Sequence, residues 1–266
     1  MDSPSVIEEQ IASTVIVRLN RPDKLNALSP EMIAALSDLF SNFKQRSELR
    51  AIILTATGDK AFCAGTDIAK IADAVENAED RERRAREISE RGQALCNLIE
   101  NCGIPVIAAI HGVAAGGGCE LALACHLRLA ADNAQFSLPE TKLGVLPAYG
   151  GTQRLAREIG EARALEIMLT GRKVGAEEAL QLGLVNRVTS AADLLNDATA
   201  FANEIAQLAP LAIRACLQAV IAGQSLPLDE GLALETKLFS SLFETSDVRE
   251  GTRAFLEKRK PVFKGA

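Results

Sequence analysis

The stretch Gly112-Val-Ala-Ala-Gly-Gly-Gly-Cys-Glu-Leu-Ala-Leu-Ala-Cys125 leaves the chain the least freedom. It follows an uncharged run, Ile104 to Ile110, that reads as a buried strand. It ends in an Ala/Leu segment, closed by His126, that reads as a buried helix. Three successive glycines at such a junction mark a backbone that comes very close to something. A helix start also presents N–H groups without intrahelical acceptors, and a partial positive charge. Gly116, Gly117 and Gly118 therefore suit either a tight structural junction or a cradle for a developing oxyanion. Glu120 lies in the first turn of that helix, between Cys119 and Leu121. A carboxylate in so apolar a setting is costly unless something pairs with it or uses it.

Around this element, strand and helix patterns alternate through about the first 190 residues. Val6 to Leu19 reads as a hairpin turning at Ala12-Ser13, and Ser29-Pro30-Glu31 as an N-cap, a first-turn proline and an acidic first turn. Arg50 to Thr55, Leu127 to Ala131, Ala134 to Leu138 and Leu184 to Val188 read as strands, and Ala61 to Ile68 as a loop of small residues before a helix. Ala69 to Glu100 is helical in pattern, with Gly103 as its stop. Its Glu76 to Glu90 part is dense in charge: either a solvated or mobile segment, or an arm for a charged partner. A second glycine-rich loop, Gly144 to Gly151, opens onto a helix over 152–159. From residue 191 onward the pattern holds helices alone, at 191–208, 211–222, 228–243 and 246–259. The division is a core over 1–190 and a helical region over 191–266.

Several chemistries find no residues to carry them. There is no G-x-G-x-x-G and no G-K-[ST], so neither a dinucleotide fingerprint nor a Walker-type phosphate loop is present. The two histidines, His111 and His126, belong to no H-E-x-x-H or G-x-S-x-G context, and His111 reads as a structural hydrogen-bonder. Six cysteines form no C-x-x-C pair; buried reduced thiols are expected, against a zinc site or disulfide framework. A net charge of −6 gives no support to a nucleic-acid partner. No continuous apolar run reaches the ~18 residues of a membrane span, since even 104–119 is broken by His111 and glycines. The first ten residues have neither a basic n-region nor an apolar h-region. A cytoplasmic protein without a membrane segment is expected.

What remains is glycine turns and acids. The loop Ala64-Gly-Thr-Asp67 also opens a helix and is a source of a second oxyanion donor. Glu140, beside Pro139 at the end of an apolar strand, is the acid to set beside Glu120. Each glutamate alone reads as a surface or capping residue; together, near one glycine turn, they suit proton transfer next to a stabilised oxyanion.

The blocks Ala61-Phe-Cys-Ala-Gly-Thr-Asp-Ile68, Ala114 to Ala122, Leu138-Pro-Glu140, Leu146 to Leu155 and Phe255 to Lys264 resemble, in order and spacing, the enoyl-CoA hydratase (crotonase) family. The resemblance covers essentially the whole chain. It implies an α/β fold, a spiral of ββα repeats followed by a C-terminal α-helical trimerisation region, assembled as a homotrimer or a dimer of trimers. It implies an acyl-CoA thioester as substrate, with CoA as part of the substrate and no metal or other cofactor. Carried over by position, backbone N–H groups of Thr66 and Gly117 form the oxyanion hole. Many hydratases have alanine where this chain has Thr66; a backbone donor survives that change. Ala64, Asp67 and Ile68 border the adenine end of CoA, Lys24, Leu25 and Ala27 lie along its phosphates and pantetheine, and Gly116 adjoins the substrate.

Family members differ mainly in their acids. With both Glu120 and Glu140 present, hydration of a 2-trans-enoyl-CoA to a 3-hydroxyacyl-CoA is the expected reaction. The alternatives are isomerisation or thioester hydrolysis on the same fold, or a non-catalytic, RNA-binding relative. Two departures bear on the substrate. The segment between Asp67 and Ile104 is longer than in short-chain hydratases by about one to two helical turns. Tyr149 is bulky in a loop that the resemblance puts near the acyl group, where it either restricts the chain or packs outward.

Overall fold

The computed structural model describes residues 3–77 and 79–266. Strands β1 (Val6–Ile11) and β2 (Thr14–Leu19) form the expected hairpin, with Ala12 at φ 53° in the turn. Helix α1 (Pro30–Phe43) starts as its sequence demands: the Ser29 hydroxyl accepts the Met32 N–H at 3.3 Å, and Pro30 has no N–H to satisfy. Its apolar stripe of Met32, Ile33, Leu36, Phe40 and Phe43 is buried.

A unit then repeats: a strand in a large sheet, a short strand in a small sheet, and helix. The first is β3 (Ala51–Ala56), β4 (Ala61–Cys63), α2 (Ile68–Asn77) and α3 (Arg81–Glu100). The second is β5 (Val106–Ile110), β6 (Val113–Ala115) and α4 (Gly117–Leu123). The third is β7 (Leu127–Ala131), β8 (Gln135–Ser137), a 3₁₀ turn at Glu140–Leu143, α5 (Gly151–Ile159) and α6 (Glu161–Thr170). Strand β9 (Val174–Gly175), α7 (Ala176–Leu182) and β10 (Arg187–Thr189) complete this part.

The large sheet runs β1-β2-β3-β5-β7-β10 and the small one β4-β6-β8-β9. Pairing is parallel from β2 to β10 in the first and from β4 to β8 in the second. The chain thus advances as a spiral, one ββα unit per turn, as the resemblance implied. Parallel strands need cover on both faces. One face carries the main core with α1 and α3. The other is covered by α8 (Leu194–Ala206), whose Leu194, Ala198 and Ala202 pack on Ile16, Ile53, Ile107 and Leu129.

After α8 come α9 (Pro210–Gly223), α10 (Leu228–Leu242) and α11 (Ser246–Leu256). Helices α9 and α10 pack on each other, yet neither buries a residue in the single chain. The Asp247 carboxylate accepts the N–H groups of Lys264 and Gly265 at 2.7 and 2.8 Å, tying the end of the chain back to α11.

Four expectations are corrected. Ala61–Cys63 is strand, not loop, because it pairs with β6. In the run from Leu184, the ladder forms only at Arg187–Thr189; Leu184 and Val185 are buried outside it, with their N–H groups on the Ala179 oxygen of α7. The long charged helix is two helices, and Asp80 caps the second through the Arg83 N–H at 2.9 Å; Ala78, between them, lies outside the described residues. Helix α3 ends at Glu100 with Asn101 as its cap, so Gly103 (φ 75°) lies two residues past that cap. The start of α3 is solvated, with Arg83–Glu87 and Arg86–Glu82 paired one turn apart. Five cysteines are buried and free, whereas Cys216 is exposed.

Candidate active site

The opening glycine run sits where the second turn of the spiral meets the first. Gly118 lets α4 lie directly on β4: a Cβ there would stand 2.1 Å from the Cys63 carbonyl oxygen. Gly65, at φ 103°, brings the neighbouring loop equally close, with its missing Cβ 2.8 Å from the Ala115 oxygen and 3.3 Å from the Gly117 nitrogen. Thr66 and Gly117 are therefore neighbours across two loops, although 51 positions separate them in the chain. Among the described residues neither backbone N–H has a protein acceptor. Gly117 is the first residue of α4, where such an N–H has no intrahelical partner. Two N–H groups without protein acceptors thus stand on adjoining loops.

Glu120 is 2% exposed. Its Oε1 accepts the N–H groups of Tyr149 at 2.8 Å and Gly151 at 2.7 Å, at the start of α5. Burial pushes its carboxyl up to about 7; the two N–H groups and the more distant Arg154 pull it down, while the Glu140 charge adds to the rise. Glu140 opens the 3₁₀ turn after Pro139 and is half-buried. Its Oε1 lies 2.9 Å from where a Cβ on Gly116 would stand, which puts it beside the glycine turn. Its Oε2 is buried without a hydrogen-bond partner. Burial raises this carboxyl as well. A buried acceptor without a donor costs about 1–3 kcal/mol, so the open acceptor on Glu140 is kept at the expense of stability.

The residues expected at the CoA end also converge. The Ala64 N–H bonds the Leu25 oxygen, the Leu28 N–H the Gly65 oxygen, and the Asp67 N–H the Leu28 oxygen. These bonds lace the 24–28 and 64–68 loops into one edge. Leu25 and Ile68 are 41% and 56% exposed there, and Lys24 is exposed beside them. Asp67 is engaged within the protein, by Arg21 at 3.3 Å and the Ala69 N–H at 3.3 Å. Arg21 also donates to the Ala27 oxygen. Buried Asn26 donates to the oxygens of Thr57 and Ala61, fixing the loop from below.

Of the two placements open to Tyr149, the inward one is found. The ring is buried against Gly92 of α3 and Gly117 of α4, and the Thr66 hydroxyl acts on its phenol. The sequence reading missed what holds this loop. Ser89 and Gln93 donate to the Ala148 oxygen, and Arg154 donates to the Tyr149 oxygen at 3.2 Å. Arg154 is itself gripped by both carboxylate oxygens of Glu100 and by Asn97. No local pattern announces pairs 54 to 59 residues apart. His126 is tied to backbone at Val106 and Glu100, while His111 Nε2 is buried without a partner. Among the described residues no group of His, Cys, Asp and Glu has the arrangement of a metal site.

The family model described as Enoyl-CoA hydratase/isomerase matches residues 9–266. The short-chain-enoyl-CoA hydratase of Clostridium acetobutylicum is 38% identical over 98% of this chain and 97% of its own length. The crotonyl-CoA hydratase of Syntrophomonas wolfei is 38% identical over 97% of both. The crystal structure of an enoyl-CoA hydratase from Bacillus anthracis superposes with a TM-score of 0.93, at 37% identity, over 98% of this chain and all of that one.

Proposed function

Since the chain belongs to the enoyl-CoA hydratase/isomerase family, we infer that it is an enoyl-CoA hydratase. It adds water reversibly to a 2-trans-enoyl-CoA to give the 3-hydroxyacyl-CoA. The observation that carries this reading is the meeting of two carboxylates, Glu120 and Glu140, beside two unused N–H donors, those of Thr66 and Gly117.

In this reading the thioester carbonyl oxygen binds the Thr66 and Gly117 N–H groups. The carboxylates hold a water molecule over C3. Its oxygen bonds to C3, its proton passes to the carboxylate pair, and the C2–C3 π electrons move toward the carbonyl oxygen as an enolate. One such donor stabilises the developing charge by ~3–4 kcal/mol. Glu140 then delivers a proton to C2. Protons enter and leave through the same pair, so its charge is unchanged after turnover. The addition is redox-neutral, and we assign it no cofactor beyond the CoA carried by the substrate. Loss of the conjugated enoyl-thioester absorbance when the protein meets crotonyl-CoA tests the reading; an unchanged spectrum at micromolar enzyme sinks it.

The same reading extends to assembly as a homotrimer or a dimer of trimers. Its support is the apolar surface of the C-terminal helices, where Leu232, Phe239, Phe243 and Phe255 stand exposed in the single chain. Sedimentation should give three or six copies; a monomer at micromolar concentration overturns it.

A further inference from the structure

We propose that the ring of Tyr149 is the inner wall of the acyl site and restricts this enzyme to short acyl chains. The proposal rests on the hydratase reading. Tyr149 is the chain's one tyrosine, and it is 4% exposed. A Cβ on Gly92 would stand 2.0 to 2.3 Å from three carbons of the ring, and one on Gly117 would stand 3.2 Å from two others. The ring therefore fills the gap between α3 and the start of α4, with one edge on each helix. Gly92 is the one glycine of α3. A glycine inside a helix costs roughly 1 kcal/mol against alanine, and here the ring takes the place of its side chain.

The direction of the acyl chain follows from the two ends of the site. Where the 24–28 and 64–68 loops meet, Leu25 and Ile68 are exposed, so the bulky CoA leaves by that edge. The carbonyl is fixed at Thr66 and Gly117, and C2 and C3 reach the glutamates. Carbons beyond C3 must continue inward, past Glu120 and toward α3. Tyr149 stands there, since its own N–H holds Glu120 while its ring spans from Gly117 to Gly92. The wall is also fixed in place. Its backbone is held by the bonds from Ser89 and Gln93 to the Ala148 oxygen, by Arg154 on the Tyr149 oxygen and by the N–H bonds to Glu120, so the loop cannot carry the ring away without losing them, and the ring itself is confined by Gly92 and Gly117. Burial pushes the phenol's pKa up, so it stays neutral at neutral pH, with Thr66 pulling it part of the way back.

The test is kcat/KM along crotonyl-, hexenoyl-, octenoyl- and decenoyl-CoA. The wild type should fall at least tenfold from the shortest to the longest, and Tyr149→Ala should shrink that fall at least tenfold. Tyr149→Phe, which keeps the ring, should keep the steep ratio. Equal wild-type activity on decenoyl-CoA, or an undiminished fall in Tyr149→Ala, overturns the wall while leaving hydration standing. No hydration at any length overturns the parent reading instead. Should Tyr149→Ala not fold, competition by saturated butyryl- and decanoyl-CoA against crotonyl-CoA on the wild type decides. Weaker inhibition by the decanoyl thioester supports the wall, and equal or stronger inhibition overturns it.

Discussion

Glu120 and Glu140 are the same side chain in two different surroundings. Glu120 projects from a fully buried helix, and one of its oxygens is committed to two backbone N–H groups of a distant loop. Glu140 begins a turn whose next residues, 141–146, are exposed, and one of its oxygens has no partner. Burial raises both, but only Glu120 is held by a fixed scaffold. The difference teaches a division of labour: a positioned carboxylate beside one with an open acceptor. The Glu140 charge adds to the rise of Glu120, so the state of the exposed-side acid bears on the titration of the buried one.

The largest effect should come from removing either acid. Glu140→Gln should lower kcat by ~10³–10⁴ and abolish solvent exchange of the C2 hydrogen, since it takes away the group that protonates carbon. Glu120→Gln should lower kcat by ~10²–10³ and leave some C2 exchange. Equal losses of exchange in the two variants would erase the division.

The next effect separates them by stability. Glu120's value in the fold, about 7, lies above its ordinary 4.5. Its contribution to stability is thus fully present below about 4.5 and lost as pH rises through 7. Wild-type Tm should fall between pH 5 and pH 8, and Glu120→Gln should flatten that fall. By pH 8 the variant should be the more stable protein by on the order of 3 kcal/mol. Glu140→Gln should shift the curve in the same direction by less, because Glu140 is only half-buried. A wild-type Tm that does not change over this range counts against Glu120's burial as a cost.

The smallest effect reaches Glu120 from a distance. Arg154 holds the Tyr149 oxygen and lowers Glu120's pKa by its charge. Arg154→Met should lower kcat by about tenfold and move the titration assigned to Glu120 to higher pH. Arg154→Lys should recover the pH position better than the rate, because lysine restores the charge but not the two-pronged grip on Glu100. No movement in the profile confines Arg154 to a structural role.

Periodicity made most of the fold legible. The hairpin, the Ser29-Pro30 start of α1 and the run of helices after residue 191 follow from local rules that the chain obeys. Strand β4 did not, since Ala61-Phe62-Cys63 is too short for a pattern of its own and becomes a strand only by pairing with β6. Leu184 and Val185 misled in the opposite way: their apolarity reports burial rather than a ladder. At the site, Gly116 to Gly118, Glu120 and Glu140 stood out in the sequence, and the resemblance pointed to Thr66 and Gly117 as a pair. The partners of Glu120 did not stand out. They are backbone N–H groups, which almost any residue supplies, and they lie 29 and 31 positions away. The inward turn of Tyr149 was equally hidden, because it depends on an absent side chain at Gly92.

That absence has a historical consequence. With the ring in place, no side chain fits at position 92 without displacing it, since even a Cβ would fall 2.0 Å from a ring carbon. The two positions therefore cannot change in either order. Position 149 must shrink before position 92 can grow, and a lineage that first acquires alanine at 92 passes through a form with a dislodged wall. A library made by mutating the two sites singly will look intolerant at 92. The same library built on a small residue at 149 will look permissive there, and it is in that second background that longer substrates become accessible to selection.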